Sequence, residues 1–133
     1  MRLALFAAVL ALPAMAQAET LTILHTNDVH SRIEPISKYN SGCRPGDNDE
    51  GKCFGGAARM ATAVRAARAD AHNSILVDGG DQFQGSLYYT FYKGKAAAEM
   101  MNAIGYDAMT VGNHEFDDGP EVLRGFMDAL DFP

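Results

Sequence analysis

The sequence is poor in positive charge, has only two cysteines, and contains no internal repeats or low-complexity tracts. Its 133 residues include 11 Lys and Arg against 17 Asp and Glu, which gives a formal net charge of −6. Long nucleic acids are bound through clustered cations that displace counterions, so this balance argues against a DNA or RNA partner. It does not exclude a small phosphate ester, because bound metal ions can reverse the local potential.

The first 18 residues have the composition of a secretory signal peptide. Arg2 precedes an apolar stretch over residues 3–12, and Ala16 and Ala18 are the small residues of a cleavage site. A membrane-spanning helix needs about 20 apolar residues, whereas this stretch is interrupted at Pro13. We therefore predict cleavage after Ala18, export to the periplasm or the extracellular space, and no membrane span within the chain.

Export bears on the redox state of the two cysteines. Cys43 and Cys53 lie in a loop rich in Gly, Pro, Asp and Asn, and cysteines that enter an oxidising compartment tend to pair. The alternative is a thiolate metal site, but two cysteines without a histidine in the loop make a poor zinc cage. We predict a disulfide between Cys43 and Cys53.

Residues 19–133 alternate between short apolar runs and helical periodicity, which is typical of a parallel sheet covered by helices. Such a length can bury a core as a single α/β domain. The predicted elements are a strand over 21–24, a helix from Gly55-Gly56 to about Arg68, a strand over 74–77, a helix from Gly94 that is capped by Gly105, a strand over 108–111, and a helix from about Pro120.

Each predicted strand is followed by a short polar cluster. These clusters are Asp28-Val29-His30, the segment 80–85 with sequence GDQFQG, and the segment 112–117 with sequence GNHEFD. Right-handed crossovers would place all three strand ends at the same edge of the sheet, where open α/β folds bind ligands. Each cluster alone could be an ordinary turn, but their joint occurrence predicts one shared site.

The side chains in these clusters suit divalent metal ions. Asp28 and His30 could point to the same side of an extended segment and hold one ion. Asp81 has two carboxylate oxygens and could bridge two ions, and the carbonyl oxygen of Asn113 suits the second. Two ions about 3.5 to 4 Å apart would stabilise an attacking hydroxide and the charge of a phosphoryl group.

His114 and Asp117 complete the predicted site. His114 could stabilise the transition state or protonate a leaving group, and Asp117, three residues later, could orient the imidazole ring. The sequence thus indicates a metal-dependent hydrolase.

Four segments carry a resemblance to a known family: HTNDVHSR, LVDGGDQFQGS, YKGKAAAEMMNAIGYDAMTVGNHEFD and the loop with two cysteines. The chain resembles the secreted 5′-nucleotidases of the calcineurin-like metallophosphoesterase superfamily. The resemblance implies the N-terminal part of an α/β/β/α sandwich and hydrolysis of nucleoside 5′-monophosphates or related nucleotides, with two divalent ions such as zinc or manganese. It also implies a set of roles: metal ligands Asp28, His30, Asp81 and Asn113, with Asp81 bridging, and a catalytic dyad of His114 and Asp117.

The chain departs from the family's pattern at its C-terminal end. The family completes its metal sites with downstream histidines and binds the nucleoside through a separate domain, but no histidine follows His114 here. We therefore expect a fragment that holds metal weakly and is inactive by itself. The alternatives are a non-catalytic truncated product or, within the superfamily, a 2′,3′-cyclic-nucleotide phosphodiesterase, a nucleotide-sugar hydrolase or a sulfate-ester-type relative.

Overall fold

The computed structural model describes residues 19–133, so the predicted signal peptide over residues 1–18 lies outside the described residues. The elements in chain order are β1 (Thr22–Thr26), β2 (Ile36–Ser37), β3 (Cys53–Phe54), α1 (Ala57–Asp70), β4 (Ser74–Asp78), α2 (Leu87–Tyr92), α3 (Lys95–Ile104), β5 (Ala108–Met109), a 3₁₀ turn (His114–Phe116) and α4 (Pro120–Met127). This confirms the predicted mixed α/β class. Within residues 19–133, every helix is too short or too polar to cross a bilayer.

A three-stranded parallel sheet in the order β1-β4-β5 positions the predicted site. In its register, Thr26 lies beside Asp78, and Asp78 lies beside Met109. The three strands therefore end at the same level, as the right-handed crossover argument requires. The chain leaves each strand end into one of the three polar clusters.

Two strands differ in length from the prediction. β1 extends beyond residue 24 because His25 and Thr26 pair with the last residues of β4. β5 ends at Met109 instead of residue 111, because β4 ends at Asp78 and offers no further partner. Within the described residues β5 is an edge strand, and the Met109 amide donates to the carbonyl of Pro133 at 3.0 Å.

The core lies between the sheet and the helices and is built around Phe83, which is fully buried. Its ring lies 5.0 Å from that of Phe126 and 4.8 Å from that of Tyr89, measured between centroids. Gly94 precedes α3 at this point, and a β-carbon there would approach Phe83 and Phe126 within 2.8 Å. The aromatic cluster thus fixes α2, α3 and α4 against the loop that follows β4.

The loop between β1 and α1 is closed by the predicted disulfide between Cys43 and Cys53. A two-stranded antiparallel hairpin of β2 and β3 lies at its base, and this hairpin was not predicted. Since Cys53 belongs to β3 and is buried, the disulfide ties the loop to an ordered part of the fold.

Candidate metal centre

The three polar clusters converge beyond the carboxyl ends of the sheet strands. One ligand atom each from His30, Asp81 and His114 lies within 4.8 Å of the other two. The rings of His30 and His114 meet edge to face with centroids 5.2 Å apart. Each of these residues follows a different strand, so the sheet register brings together groups that are distant in the sequence.

His30 is held with one nitrogen free. Its Nδ1 lies 2.9 Å from the carbonyl oxygen of Phe83, which can only accept, so Nδ1 carries the proton and Nε2 is left as a lone-pair donor. Nε2 lies 3.6 Å from Oδ1 of Asp28. Asp28 and His30 are therefore adjacent, as predicted for two ligands of one ion.

The predicted reason for that adjacency was wrong. Asp28 and His30 do not lie on an extended segment, since their φ angles are +54° and +50°. This left-handed backbone curls the segment so that the two side chains meet, at a cost of about 1 to 3 kcal/mol for each residue. Two hydrogen bonds maintain the curl: the Asp28 amide donates to the Gly80 carbonyl at 2.9 Å, and the His30 amide donates to the Asp81 carbonyl at 3.0 Å.

Asp81 lies at the middle of the cluster and also has a left-handed backbone, with φ of +59°. Its Oδ1 accepts a hydrogen bond from the His114 amide at 2.9 Å. One side-chain amide atom of Asn113 lies 3.3 Å from Asp81 Oδ2. Assigned as nitrogen, that atom donates a hydrogen bond; assigned as oxygen, it forms with Asp81 a pair of acceptors that a cation would hold together.

His114 and Asp117 form a direct pair, with Nδ1 of the ring 2.7 Å from Oδ2 of the carboxylate. Nε2 of His114 is consequently the nitrogen left for other contacts. The hydrogen bond that His114 donates to Asp117 raises the pKa of His114 above its ordinary value. In turn, the hydrogen bonds from His114 and from Gln84, whose Nε2 donates at 2.8 Å, lower the pKa of Asp117.

Two glycines allow the second and third clusters to touch. Gly80 has φ of +94°, and a β-carbon there would overlap the Gly112 amide and lie 2.9 Å from the Thr110 carbonyl. A β-carbon at Gly112 would overlap Asp81 Oδ1 and lie 2.6 Å from the Asp81 amide nitrogen. Only residues without a side chain permit this approach.

A buried polar network around Asp78, the last residue of β4, supports the loop that carries Asp81. Asp78 accepts from the Thr26 hydroxyl at 2.5 Å, from the Gly80 amide at 2.8 Å and from Nε2 of Gln82 at 3.0 Å. Burial is the main cause that raises the pKa of Asp78. Both oxygens of the Asp78 carboxylate therefore have hydrogen-bond donors, and these bonds anchor the turn that follows β4.

Sequence reasoning missed Glu115. Its side chain is fully buried and accepts hydrogen bonds from four backbone amides. Its neighbour His114 drew attention because imidazole is a familiar ligand, whereas a glutamate beside it has no local feature that predicts burial. Its partners Asp81, Gln82 and Phe83 are more than 30 residues away in the sequence.

The grouped residues fit a divalent metal ion by their chemistry. The cluster offers carboxylate oxygen, imidazole nitrogen and a carboxamide, which are the donors that zinc, manganese and related ions accept. His30 is also held in a tautomer that leaves Nε2 for a metal, because its Nδ1 donates a hydrogen bond to the Phe83 carbonyl. The individual ligand roles of Asp28, His30, Asp81 and Asn113 stay predictions.

Known proteins resemble this chain along most of its length. The profile of the calcineurin-like phosphoesterase family matches residues 21–133. Human 5′-nucleotidase is 49% identical over 119 residues, which are 89% of this chain and 20% of that protein. The snake venom 5′-nucleotidase of Gloydius brevicauda is 47% identical over 120 residues, which are 90% of this chain and 19% of that protein. The chain thus spans about a fifth of the length of these relatives.

Solved structures give the same result. A 5′-nucleotidase precursor from Thermus thermophilus superposes with a TM-score of 0.71 and 38% identity, covering 84% of this chain and 21% of that one. The NAD nucleotidase of Haemophilus influenzae superposes with a TM-score of 0.71 and 31% identity, covering 85% of this chain and 20% of that one. From the matched profile, the sequence relatives and these structures together, the chain belongs to the calcineurin-like phosphoesterase family.

Proposed function

We propose that the protein that contains this chain is an exported, metal-dependent phosphoester hydrolase acting on nucleoside 5′-monophosphates or related nucleotides. The observation that carries this proposal is the convergence of His30, Asp81 and His114, within 4.8 Å of one another, at the carboxyl ends of three parallel strands. The relatives named 5′-nucleotidase, at 47% and 49% identity, support the substrate class.

The proposed centre takes two divalent ions. Asp28 and His30 would hold one, Asn113 the other, and Asp81 would lie between them. When bound, such ions supply positive charge that stabilises the charge of a phosphoryl group and promotes ionisation of a nucleophilic water.

The proposed role of His114 follows from its surroundings. With Nδ1 bonded to Asp117, Nε2 is available to stabilise developing negative charge or to pass a proton to a leaving oxygen. The half-exposed position of both side chains, 37% and 39%, leaves room for a substrate to reach the ring. Gln84 in turn holds the Asp117 carboxylate in place, because its Nε2 donates to the same oxygen, Oδ2, that pairs with His114.

A second candidate substrate is a dinucleotide such as NAD. It is favoured by the likeness to an NAD nucleotidase, which equals the likeness to the 5′-nucleotidase precursor in TM-score. Both candidates place phosphoryl chemistry at the same centre, so they differ in substrate and not in the residues proposed here.

Export is proposed on the composition of residues 1–18, and the likeness to venom proteins supports it. N-terminal sequencing of the secreted or periplasmic protein tests it directly, because cleavage after Ala18 leaves Glu19 as the first residue. An intact Met1 on the native protein would contradict this part of the proposal.

The experiment for the activity uses the native protein, stripped with a chelator and then reloaded with Mn²⁺ or Zn²⁺. Release of phosphate from adenosine 5′-monophosphate should fall to background after stripping and return with the metal. Parallel assays with NAD, a 2′,3′-cyclic nucleotide and a nucleotide sugar identify the preferred substrate. Undiminished hydrolysis by the stripped protein, or no hydrolysis of any nucleotide by the reloaded one, would contradict the proposal.

A further inference from the structure

Glu115 is a buried carboxylate in which both oxygens are fully engaged by backbone amides. Oε1 accepts from the amides of Gln82 at 2.7 Å and Phe83 at 3.1 Å. Oε2 accepts from the amides of Asp81 at 2.9 Å and Gly112 at 2.6 Å. An ionised carboxylate can only accept hydrogen bonds, and the four groups that contact Glu115 are all donors.

These donors belong to two different loops. Asp81, Gln82 and Phe83 follow β4, while Gly112 and Glu115 itself follow β5. The carboxylate therefore links the loop that carries Asp81 to the loop that carries Asn113. Loops of this kind have few other ways to satisfy their amides, since they leave the ladder of the sheet at this point.

The link extends to the first cluster through the same peptides. The Asp81 amide donates to Glu115 Oε2 at 2.9 Å, and the Asp81 carbonyl accepts from the His30 amide at 3.0 Å. The Gly80 carbonyl accepts from the Asp28 amide at 2.9 Å. Glu115 thus fixes the loop that follows β4 through the amides of that loop. The carbonyl groups of the same loop fix Asp28 and His30.

Glu115 itself is closed off from the centre. Its side chain has no exposed surface, and each oxygen already accepts two hydrogen bonds. A group so engaged is neither a proton carrier nor a ligand in this arrangement. Its effect on chemistry must act through the residues whose backbone it holds.

We propose that Glu115 is a positioning residue that sets the relative placement of the three ligand-bearing loops and thereby the metal affinity of the centre. This inference rests on the proposed function, because it assigns to Asp28, His30, Asp81 and Asn113 the ligand roles given above. Partners that orient ligands without touching the metal typically change metal affinity 10- to 100-fold when removed.

The test uses Glu115→Gln in the native protein, with Co²⁺ as the probe. The carboxamide keeps one acceptor oxygen but turns an NH₂ group toward two amide donors, so it breaks half of the link at nearly constant volume. We expect Co²⁺ affinity, measured by competition with a chromophoric chelator, to fall about 10- to 100-fold. The visible Co²⁺ spectrum should change as well, because the ligands are no longer held in one arrangement.

Met101→Ala is the control for a loss of stability alone, since Met101 is fully buried in α3 and belongs to none of the three loops. It should lower the melting temperature and leave Co²⁺ affinity and spectrum as in the unmodified protein. Equal Co²⁺ affinity in Glu115→Gln and the unmodified protein would overturn the positioning role while leaving the proposed function intact. Failure of the unmodified protein to bind Co²⁺ would overturn the proposed function and this inference with it.

A second measurement needs no variant and decides the matter if Glu115→Gln does not fold. If the hydrogen bonds to Glu115 favour metal binding, metal binding must stabilise those hydrogen bonds, because coupling between two sites is reciprocal. Co²⁺ binding should therefore slow hydrogen exchange at the backbone amides that donate to Glu115. Exchange at the Asp81, Gln82, Phe83 and Gly112 amides is compared with and without Co²⁺, with the amides of α4 as an internal reference. Unchanged exchange at these four amides on Co²⁺ binding would overturn the proposal.

Discussion

Nδ1 of His114 lies 2.7 Å from Oδ2 of Asp117, and Nε2 of Gln84 donates to that same oxygen at 2.8 Å. The imidazole is therefore oriented by a carboxylate that is itself held in place. This chain of contacts assigns His114 a defined tautomer, with Nε2 free, before any substrate is present.

Replacing His114 by Asn should lower kcat for phosphate release by about 10²- to 10⁴-fold, the usual contribution of a positioned acid or base. Bound metal should change little, because the proposed ligands remain. Steady-state kinetics with metal analysis of the same preparation checks both expectations. His25→Asn is the control, since His25 is exposed on β1, and its kinetics should match those of the unmodified protein. A His114→Asn variant with unchanged kcat would refute the assigned role.

Replacing Gly112 by Ala should weaken metal binding about 10-fold or more, because the added β-carbon overlaps Asp81 Oδ1 and must displace that carboxylate. Gly125→Ala is a matched control: Gly125 lies in α4 with open space around it. That change should leave metal affinity unaltered and raise the free energy of unfolding by up to about 1 kcal/mol. Isothermal titration with Mn²⁺ distinguishes the two variants, and equal affinities would show that the close approach is unimportant.

Asp118 provides a pH-dependent contribution to stability. Its hydrogen bonds with Lys93 and with Tyr89, each 2.8 Å long, lower its pKa in the folded protein. A lowered pKa means that the contribution is present above the ordinary value of 3.8 and is lost as the pH falls below it. Asp118→Asn should therefore be less stable than the unmodified protein at pH 7, with a difference that shrinks in acid.

Urea unfolding at pH 7 and at several values below 3.8 measures that difference. The control is Asp49→Asn, which changes an exposed aspartate of the disulfide loop that makes no side-chain ion pair within the described residues. Its stability should follow that of the unmodified protein across the range. A difference for Asp118→Asn that stayed constant or grew in acid would contradict the assigned ion pair.

The Cys43–Cys53 disulfide closes a loop with a sequence separation of 10 residues. Replacing both cysteines by Ser should lower the free energy of unfolding by about 2 to 3 kcal/mol, mainly because the unfolded chain regains freedom. Reduction of the unmodified protein should lower its melting temperature similarly. Phosphate release at room temperature should persist, since the bond lies outside the metal centre. An unchanged melting temperature in the double variant would contradict this account.

Sequence patterns predicted the three strands of the parallel sheet and the polar clusters that follow them, because short apolar runs and the polar residues after them can be read locally. The short helix α2 was missed, since four of its six residues are aromatic and they do not form a helical stripe. The hairpin of β2 and β3 was missed because each strand has only two residues. Such elements owe their existence to tertiary contacts, which a local pattern does not contain.

In the metal centre, too, some features could be predicted from the local sequence and others depend on tertiary contacts. Asp28, His30, Asp81 and His114 could be singled out because their side chains have recognisable metal and acid-base chemistry. The left-handed backbone of Asp28 and His30 could not, since it depends on hydrogen bonds to the Gly80 and Asp81 carbonyls. A buried role for Glu115 depends in the same way on amides far away in the sequence.

The measurement that tests the central claim most directly is metal content together with phosphate release for Asp81→Ala in the native protein. Asp81 joins the other two clusters through side chain and backbone, so its carboxylate should be indispensable. We predict that bound metal falls well below that of the unmodified protein and that phosphate release from adenosine 5′-monophosphate drops to background. The exposed Asp70→Ala control should retain both. Unchanged metal content and unchanged phosphate release in Asp81→Ala would contradict the account.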